Sequence, residues 1–314
     1  MAKAFLKPDV EHKLFKELSE KKPVWWQNLV NDNNELYINI RQDNHINVYY
    51  NGGSLLNLEY RGSLKGRINF EYIPLLKNKD YVPFTFEHDY ISLPEMKPLP
   101  LENFGKSALL AIKKRISKFY GPNSEKGIQA DFVLKNGSFI DTEFQPISNR
   151  KIRFDLVWVD VTNVTRKKIF VVELKTIEDS RLMFDPDKVL EHETVGKIHG
   201  QLTKYYEFIR DQQSNIIAYY QAVFQIQKKL GILPKNLRSL GSLEEFTIEP
   251  RPILLVGDCT QDWINKNAER INTKLKDIAY GCFYQGKSTR EFIIPAETKG
   301  YRFILPDMSA ISEP

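Results

Sequence analysis

Arg153-Phe154-Asp155-Leu156-Val157-Trp158-Val159 and Ile169-Phe170-Val171-Val172-Glu173-Leu174-Lys175 are two apolar strands, each interrupted by a carboxylate. The stretch between them runs into Thr162-Asn163-Val164-Thr165-Arg166, a polar turn, so the pair reads as an antiparallel hairpin. With the turn centred on Val164, Asp155 falls directly opposite Glu173. Directly opposed residues project from one face of the sheet, with Cβ atoms roughly 4.5–5.5 Å apart. Glu173 and Lys175, two apart on one strand, share that face. The preceding hairpin repeats the geometry: Glu143 and Asp155 are symmetric about Asn149, inside Pro146-Ile147-Ser148-Asn149-Arg150. The expectation is a row of Glu143, Asp155 and Glu173 across adjacent strands, with Lys175 beside it. Opposed like charges destabilise a sheet, so such a row needs compensation. Hard carboxylate oxygens with room for water suit a divalent cation, Mg²⁺ or Mn²⁺. The alternative is that these are solvated charges on an exposed face. Ile169-Phe170-Val171-Val172 weakens it, because a continuous apolar run marks a strand buried on both faces. A slip of one residue in register would undo the row.

Working outward, Phe104 to Tyr120 is an amphipathic helix stopped by Gly121-Pro122. Strands follow at about 138–146, 152–161 and 168–176, then helical stretches at 195–213 and 216–230. Arg251-Pro252 opens a buried strand, Ile253 to Gly257, with a helix at 261–279 and strand-like pieces at 281–285 and 290–294 after it. Upstream, residues 1–22 form a short polar helix with Phe5, Leu6, Val10, Leu14, Phe15 and Leu18 on one face. Leu36–Ile40, Ile46–Tyr50, Leu55–Tyr60 and Arg67–Ile73 are successive short strands. Asn51-Gly52 between two of them is a hairpin signal, since both residues tolerate positive φ. Leu93 to Pro100 holds three prolines and reads as a linker. The fold class is therefore α/β (α+β): a mixed sheet flanked by helices over 101–314, behind a β-rich N-terminal domain with a leading helix over 1–100.

Composition agrees with a packed, soluble chain. Of its 314 residues 42% are hydrophobic, and the 12% that are aromatic argue against disorder. No run approaches the roughly 18 apolar residues of a membrane span, and the start breaks off too soon for a secretory signal. Cys259 and Cys282 are too few for a disulfide framework, which points to a reducing, cytoplasmic setting. The net charge of +5 permits an anionic partner without demanding one.

Asp155 followed by Glu173-Leu174-Lys175 at the end of an apolar strand resembles the PD-(D/E)xK nuclease superfamily. The order helix, three strands, helix, strand is similar as well. Gln201-Leu202-Thr203-Lys204-Tyr205 resembles the Q-x-x-x-Y motif of its RecB-like branch, with Gln201 and Tyr205 one helical turn apart. Lys197 and Lys204 flank that face. The resemblance covers roughly residues 102–285 and implies a restriction-endonuclease-like sheet. It implies Mg²⁺ (or Mn²⁺) on Asp155, Glu173 and the Leu174 carbonyl, with Lys175 orienting or deprotonating water. Gln201 and Tyr205 would position the phosphate backbone or brace the site; core packing is the competing role for Tyr205. Two departures stand out: Phe154 replaces the proline, and the helix 104–120 has no acid, leaving Glu102 or Glu143 to complete the metal set. The implied activity is metal-dependent hydrolysis of nucleic acid, DNA being the expected polymer.

Other signals compete. Gly281-Cys282-Phe283-Tyr284-Gln285-Gly286-Lys287-Ser288 fits G-x-x-x-x-G-K-[ST], but its middle is strand-like and Pro295 cuts short any following helix. His192-Glu193 has Gly196 where a zinc helix needs histidine, and His199 points away from Gln201. Lys106, Lys113, Lys114, Arg115 and Lys118 load one helix with positive charge, a solvated face by default and a phosphate-tracking face beside a nuclease site. Trp25, Trp26, Tyr37, Tyr49, Tyr50 and Tyr60 offer stacking surfaces for single strands, or serve as core or homodimer contacts. A catalytically silent nucleic-acid-binding module, a P-loop nucleotide hydrolase using Lys287 and a purely structural protein are the alternative functions.

Overall fold

The computed structural model describes residues 6–32, 34–69, 81–87, 90–92, 99–100, 109–147, 149, 151–161, 167–182, 194–286 and 292–293. Among them lie two seven-stranded sheets and six α-helices, a mixed α+β architecture. The chain divides into two compact units. One is Leu6–Gly137 with Tyr219–Ser242; the other contains the described residues of Ser138–Ala218 and Leu243–Pro314. The boundary expected after residue 100 falls inside the first unit, which continues to Gly137.

The first unit opens with α1 (Lys13–Lys21) and α2 (Val24–Asn31), separated at Pro23. The leading helix thus begins at Lys13, later than expected, with His12 Nδ1 accepting from the Leu14 N–H at 3.3 Å as its cap. An antiparallel meander follows in simple order: β1 (Leu36–Arg41), β2 (His45–Tyr50), β3 (Gly53–Tyr60), β4 (Leu64–Asn69), β5 (Tyr81–Glu87), β6 (Tyr90–Ser92) and β7 (Leu99–Pro100). Asn51 and Gly52 adopt φ of 47° and 79°, the conformation the tightest hairpins require. Gly52 is doubly fixed, since a Cβ there would collide with the Lys126 carbonyl oxygen. The stretch expected as a linker ends in a strand, Leu99–Pro100; its residues 93–98 lie outside the described set.

Helix α3 (Leu109–Phe119) stops before Gly121-Pro122 as expected, but a second helix, α4 (Glu125–Lys135), was not anticipated. Its apolar residues do not repeat on one face, and Gly127 resembles a loop residue. What makes it a helix is the Ser124 cap, whose Oγ accepts from the Gly127 N–H at 3.1 Å. Gly127 allows close approach, because a Cβ there would strike the Gly121 carbonyl oxygen.

In the second unit β8 (Phe139–Phe144), β9 (Phe154–Asp160) and β10 (Lys168–Thr176) form an antiparallel meander. Helix α5 (Thr194–Leu230) then runs without a break across the 213–216 gap between two expected helices. Its residues to Ala218 belong to this unit and those from Tyr219 to the other. Gly231, at φ 73°, closes it, with the Ile232 N–H reaching the Gln227 carbonyl at 2.9 Å. Strand β11 (Thr247–Ile248) pairs parallel with the start of β10, and β12 (Ile253–Cys259) pairs parallel with its end. Helix α6 (Gln261–Leu275), capped by Thr260, leads to β13 (Gly281–Gly286) and β14 (Phe292–Ile293). The sheet order is β14-β13-β12-β10-β9-β8, with β11 beside β10.

Candidate active site

The hairpin register is the one expected. Five pairs from Lys168 opposite Asp160 to Val172 opposite Leu156 are all symmetric about Val164. The ladder stops one step before Asp155 would meet Glu173. There the side chain replaces the backbone: Asp155 Oδ2 accepts the Leu174 N–H at 2.9 Å. This carboxylate therefore bridges β9 to β10 at the point where the two strands leave their shared ladder.

Three oxygens converge on one cation. Lys175 Nζ donates to the Leu174 carbonyl at 2.6 Å, lies 3.5 Å from Asp155 Oδ2 and pairs with Glu173 Oε1. Lys175 is 2% exposed and Glu173 1%, so these charges have almost no water. Burial, and then the Asp155 charge, raise the Glu173 carboxyl well above the usual carboxylate range, against the opposing pull of Lys175. Glu173 Oε2 is buried and has no hydrogen-bond partner among the described residues. An acceptor left without a donor in a dry site is costly, and it is what a further cation would satisfy.

Helix α5 supplies the other wall. Gln201 Nε2 donates to Glu173 Oε1 at 2.6 Å and lies 3.0 Å from the Tyr205 hydroxyl. Tyr205 in turn donates to the Arg153 carbonyl and packs edge-on against Phe154 at 5.2 Å. Burial and the neighbouring Glu173 hold its hydroxyl protonated well above the ordinary phenol range. Brace and core packing are thus one role for Tyr205. The one-turn spacing of Gln201 and Tyr205 read from the sequence becomes a single chain of bonds linking β9, β10 and α5. Lys197 and Lys204 are exposed on that helix, as is His199.

Two site residues were missed. Arg181 Nη1 donates to Gln201 Oε1 at 3.1 Å, and Arg181 Nε meets Asp179 Oδ1 at 2.9 Å. Arg181 thereby selects the amide orientation in which Gln201 presents its N–H groups to Glu173. No motif marks it; it follows Lys175 in an irregular segment, and only the fold brings it to α5.

Glu143 does not complete the row. The register about Asn149 is as expected, with Thr142 opposite Leu156 and Phe144 opposite Phe154. Glu143 itself adopts φ 55°, and its carboxylate pairs with Arg153. A left-handed residue breaks the alternation that would have aimed its side chain at Asp155. Among the described residues no three His, Cys, Asp or Glu side chains gather as a metal set. The converged oxygens are two carboxylates and one backbone carbonyl. Glu102, the other candidate, lies outside the described residues.

The competing signals take ordinary places. Gly281–Gly286 is a strand paired with β12 and β14, and Lys287 and Ser288 lie outside the described residues, as do His192-Glu193 and Lys106. Lys113 is buried and tied to Asp32 and, at 2.7 Å, to Glu35, so it is withdrawn from any phosphate face. Trp25, Trp26, Tyr37 and Tyr49 are core residues. Among the described residues no helix is long and apolar enough to cross a membrane.

No family model, curated protein or solved structure matches the chain.

Proposed function

We propose that the protein is a metal-dependent nuclease of the PD-(D/E)xK type, with a restriction-endonuclease-like sheet in its second unit, hydrolysing phosphodiester bonds of DNA. One observation carries the reading. The Asp155, Glu173 and Leu174 oxygens converge on a single cationic group, Lys175 Nζ, while Glu173 Oε2 stays buried without a donor. This all-oxygen set fits Mg²⁺ or Mn²⁺. What a bound Mg²⁺ or Mn²⁺ supplies to such a set is Lewis acidity toward a phosphoryl oxygen and an acidified water.

The chain's own residues do the rest. Asp155 is held by the Leu174 N–H, so its carboxylate keeps its aim without rearrangement. Lys175 Nζ carries the positive charge, and the movable proton, nearest the carboxylates. Gln201, oriented by Arg181, fixes the Glu173 rotamer, and Tyr205 braces Gln201 against the Arg153 carbonyl.

The test is cleavage of linear and circular DNA with Mg²⁺, Mn²⁺ or EDTA by wild type, Glu173→Ala and Lys175→Ala. Metal-dependent cutting lost in both folded variants is the expected result, and loss of circles identifies endonuclease action. A folded wild type that never cuts with either metal, or variants that cut like wild type, would overturn the reading.

A further inference from the structure

The sheet of the first unit has two unlike faces over β1–β4. One buries Leu36, Ile40, Ile46, Val48, Leu58 and Ile68. The other carries a polar row in strict register: Asn39 opposite Asn47, Asn47 opposite Asn57, and Asn57 opposite Arg67. Strand interiors disfavour asparagine, yet three neighbouring strands place it at the same level. With strands about 4.8 Å apart, the row spans roughly 14 Å.

The Asn47, Asn57 and Arg67 side chains are pre-positioned by one another, while Asn39 at the end of the row is buried. Asn57 Nδ2 donates to Asn47 Oδ1, Asn47 Nδ2 donates to the Tyr49 hydroxyl at 3.0 Å, and Arg67 Nη2 reaches Asn57 Oδ1 at 3.4 Å. Its contact with Glu59 is as long, 3.5 Å. Among the described residues each of the two amides keeps one N–H and the second lone pair of its Oδ1, and Arg67 keeps Nε and Nη1, with its side chain 40% exposed. Arg61 and Lys65 lie beside the row on the β3–β4 hairpin. Against them stands Glu59, directly opposite Lys65 and 3.1 Å from Arg61. His45 is held neutral by burial and by Arg41 and Arg67, so it adds no further charge. Tyr37 and Tyr49 stack on each other at 5.1 Å and pack against Ala130 of α4, which removes them as base platforms.

A row meant only for phosphate needs donors alone. Asparagine offers a donor and an acceptor side by side, which matches base edges, and Arg67 adds further N–H donors beside them. We propose that the Asn47–Asn57–Arg67 row is a base-reading surface, on which the first unit holds nucleic acid with Arg61 and Lys65 toward its phosphates. This rests on the nuclease reading for its choice of partner.

The test measures binding of fluorescent single- and double-stranded DNA of several sequences by the full chain in EDTA, followed by anisotropy. The proteins are wild type, Asn57→Ala, Arg67→Ala and Arg67→Lys, each checked for native circular dichroism. Arg67→Ala is expected to bind its preferred sequence about tenfold or more weakly. Arg67→Lys, which keeps the charge and loses the planar set of donors and the contact to Asn57, is expected to keep the salt dependence while losing preference between sequences. Unchanged affinity and preference in folded Arg67→Ala and Asn57→Ala would overturn the surface, as would equal displacement of DNA by an acidic peptide. Those results, together with metal-dependent cutting by wild type, would leave the nuclease reading standing. A wild type that neither binds nor cuts would remove both.

Discussion

Lys175 is the residue on which the second unit's site balances. Its ammonium offsets two carboxylates in a setting with almost no water, and breaking a buried pair by removing one partner leaves the remaining charge uncompensated. Lys175→Met is therefore expected to destabilise the metal-free protein by about 3–5 kcal/mol, read from urea unfolding in EDTA. A loss under about 1 kcal/mol would show an exposed surface pair instead. Glu173 adds a pH signature. Its folded pKa is raised from 4.5 to about 8, so the folded state binds this proton more tightly than the unfolded chain. Its stabilising contribution is complete below the unfolded value and is lost as pH rises through the folded one. Wild type should lose ground against Glu173→Gln between about pH 4.5 and 8 in EDTA. A stability difference that stays flat over that window would mean Glu173 is not in the dry site described.

At the scale of elements, α5 is the informative case. Ile198, Leu202, Tyr205 and Ile209 lie on one stripe, and Ile216, Tyr220, Val223 and Gln227 continue it. Between them the exposed Ser214-Asn215 pair resembles a break, which is why the sequence suggests two helices. Poor helix formers at two exposed positions cost only tenths of a kcal/mol each, and packing on both sides outweighs that. Ser214→Pro separates the two cases. In one continuous helix it removes a backbone bond and clashes with the preceding turn, so stability should fall by about 3 kcal/mol or more. In a linker it would be tolerated, and thermal or chemical unfolding distinguishes the outcomes. Helix α4 carries the opposite lesson: its cap at Ser124 was readable, but without a periodic apolar stripe the cap had no helix to announce.

For the whole molecule, the two cysteines report the integrity of the second unit's sheet. Cys259 is 1% exposed at the end of β12, and its thiol donates to the Val256 carbonyl at 3.3 Å. Burial, and then the Asp258 charge, push it up to about 12. Maleimide at pH 8 should leave Cys259 unmodified in the native protein and label it fully in urea, as followed by peptide mass spectrometry. Rapid labelling of the native chain would mean that β12 opens locally rather than with the unit.

Strands β8, β9, β10 and β12 and both hairpin registers were legible because turn residues fix the centre of symmetry and continuous apolar runs mark buried strands, whereas the two-residue β11 left no such run. Asp155, Glu173, Lys175, Gln201 and Tyr205 were legible for the same reason, since each sits on a regular element with a fixed repeat. Glu143 was misplaced because one left-handed residue cancels the alternation, and nothing in its neighbours' side chains records that. Arg181, the withdrawal of Lys113 to Asp32 and Glu35, and the division at Gly137 rest on contacts between residues far apart in the chain. Local periodicity carries the geometry within an element and across a short turn. Which irregular segment folds against which element is set by packing, and that only the tertiary structure decides.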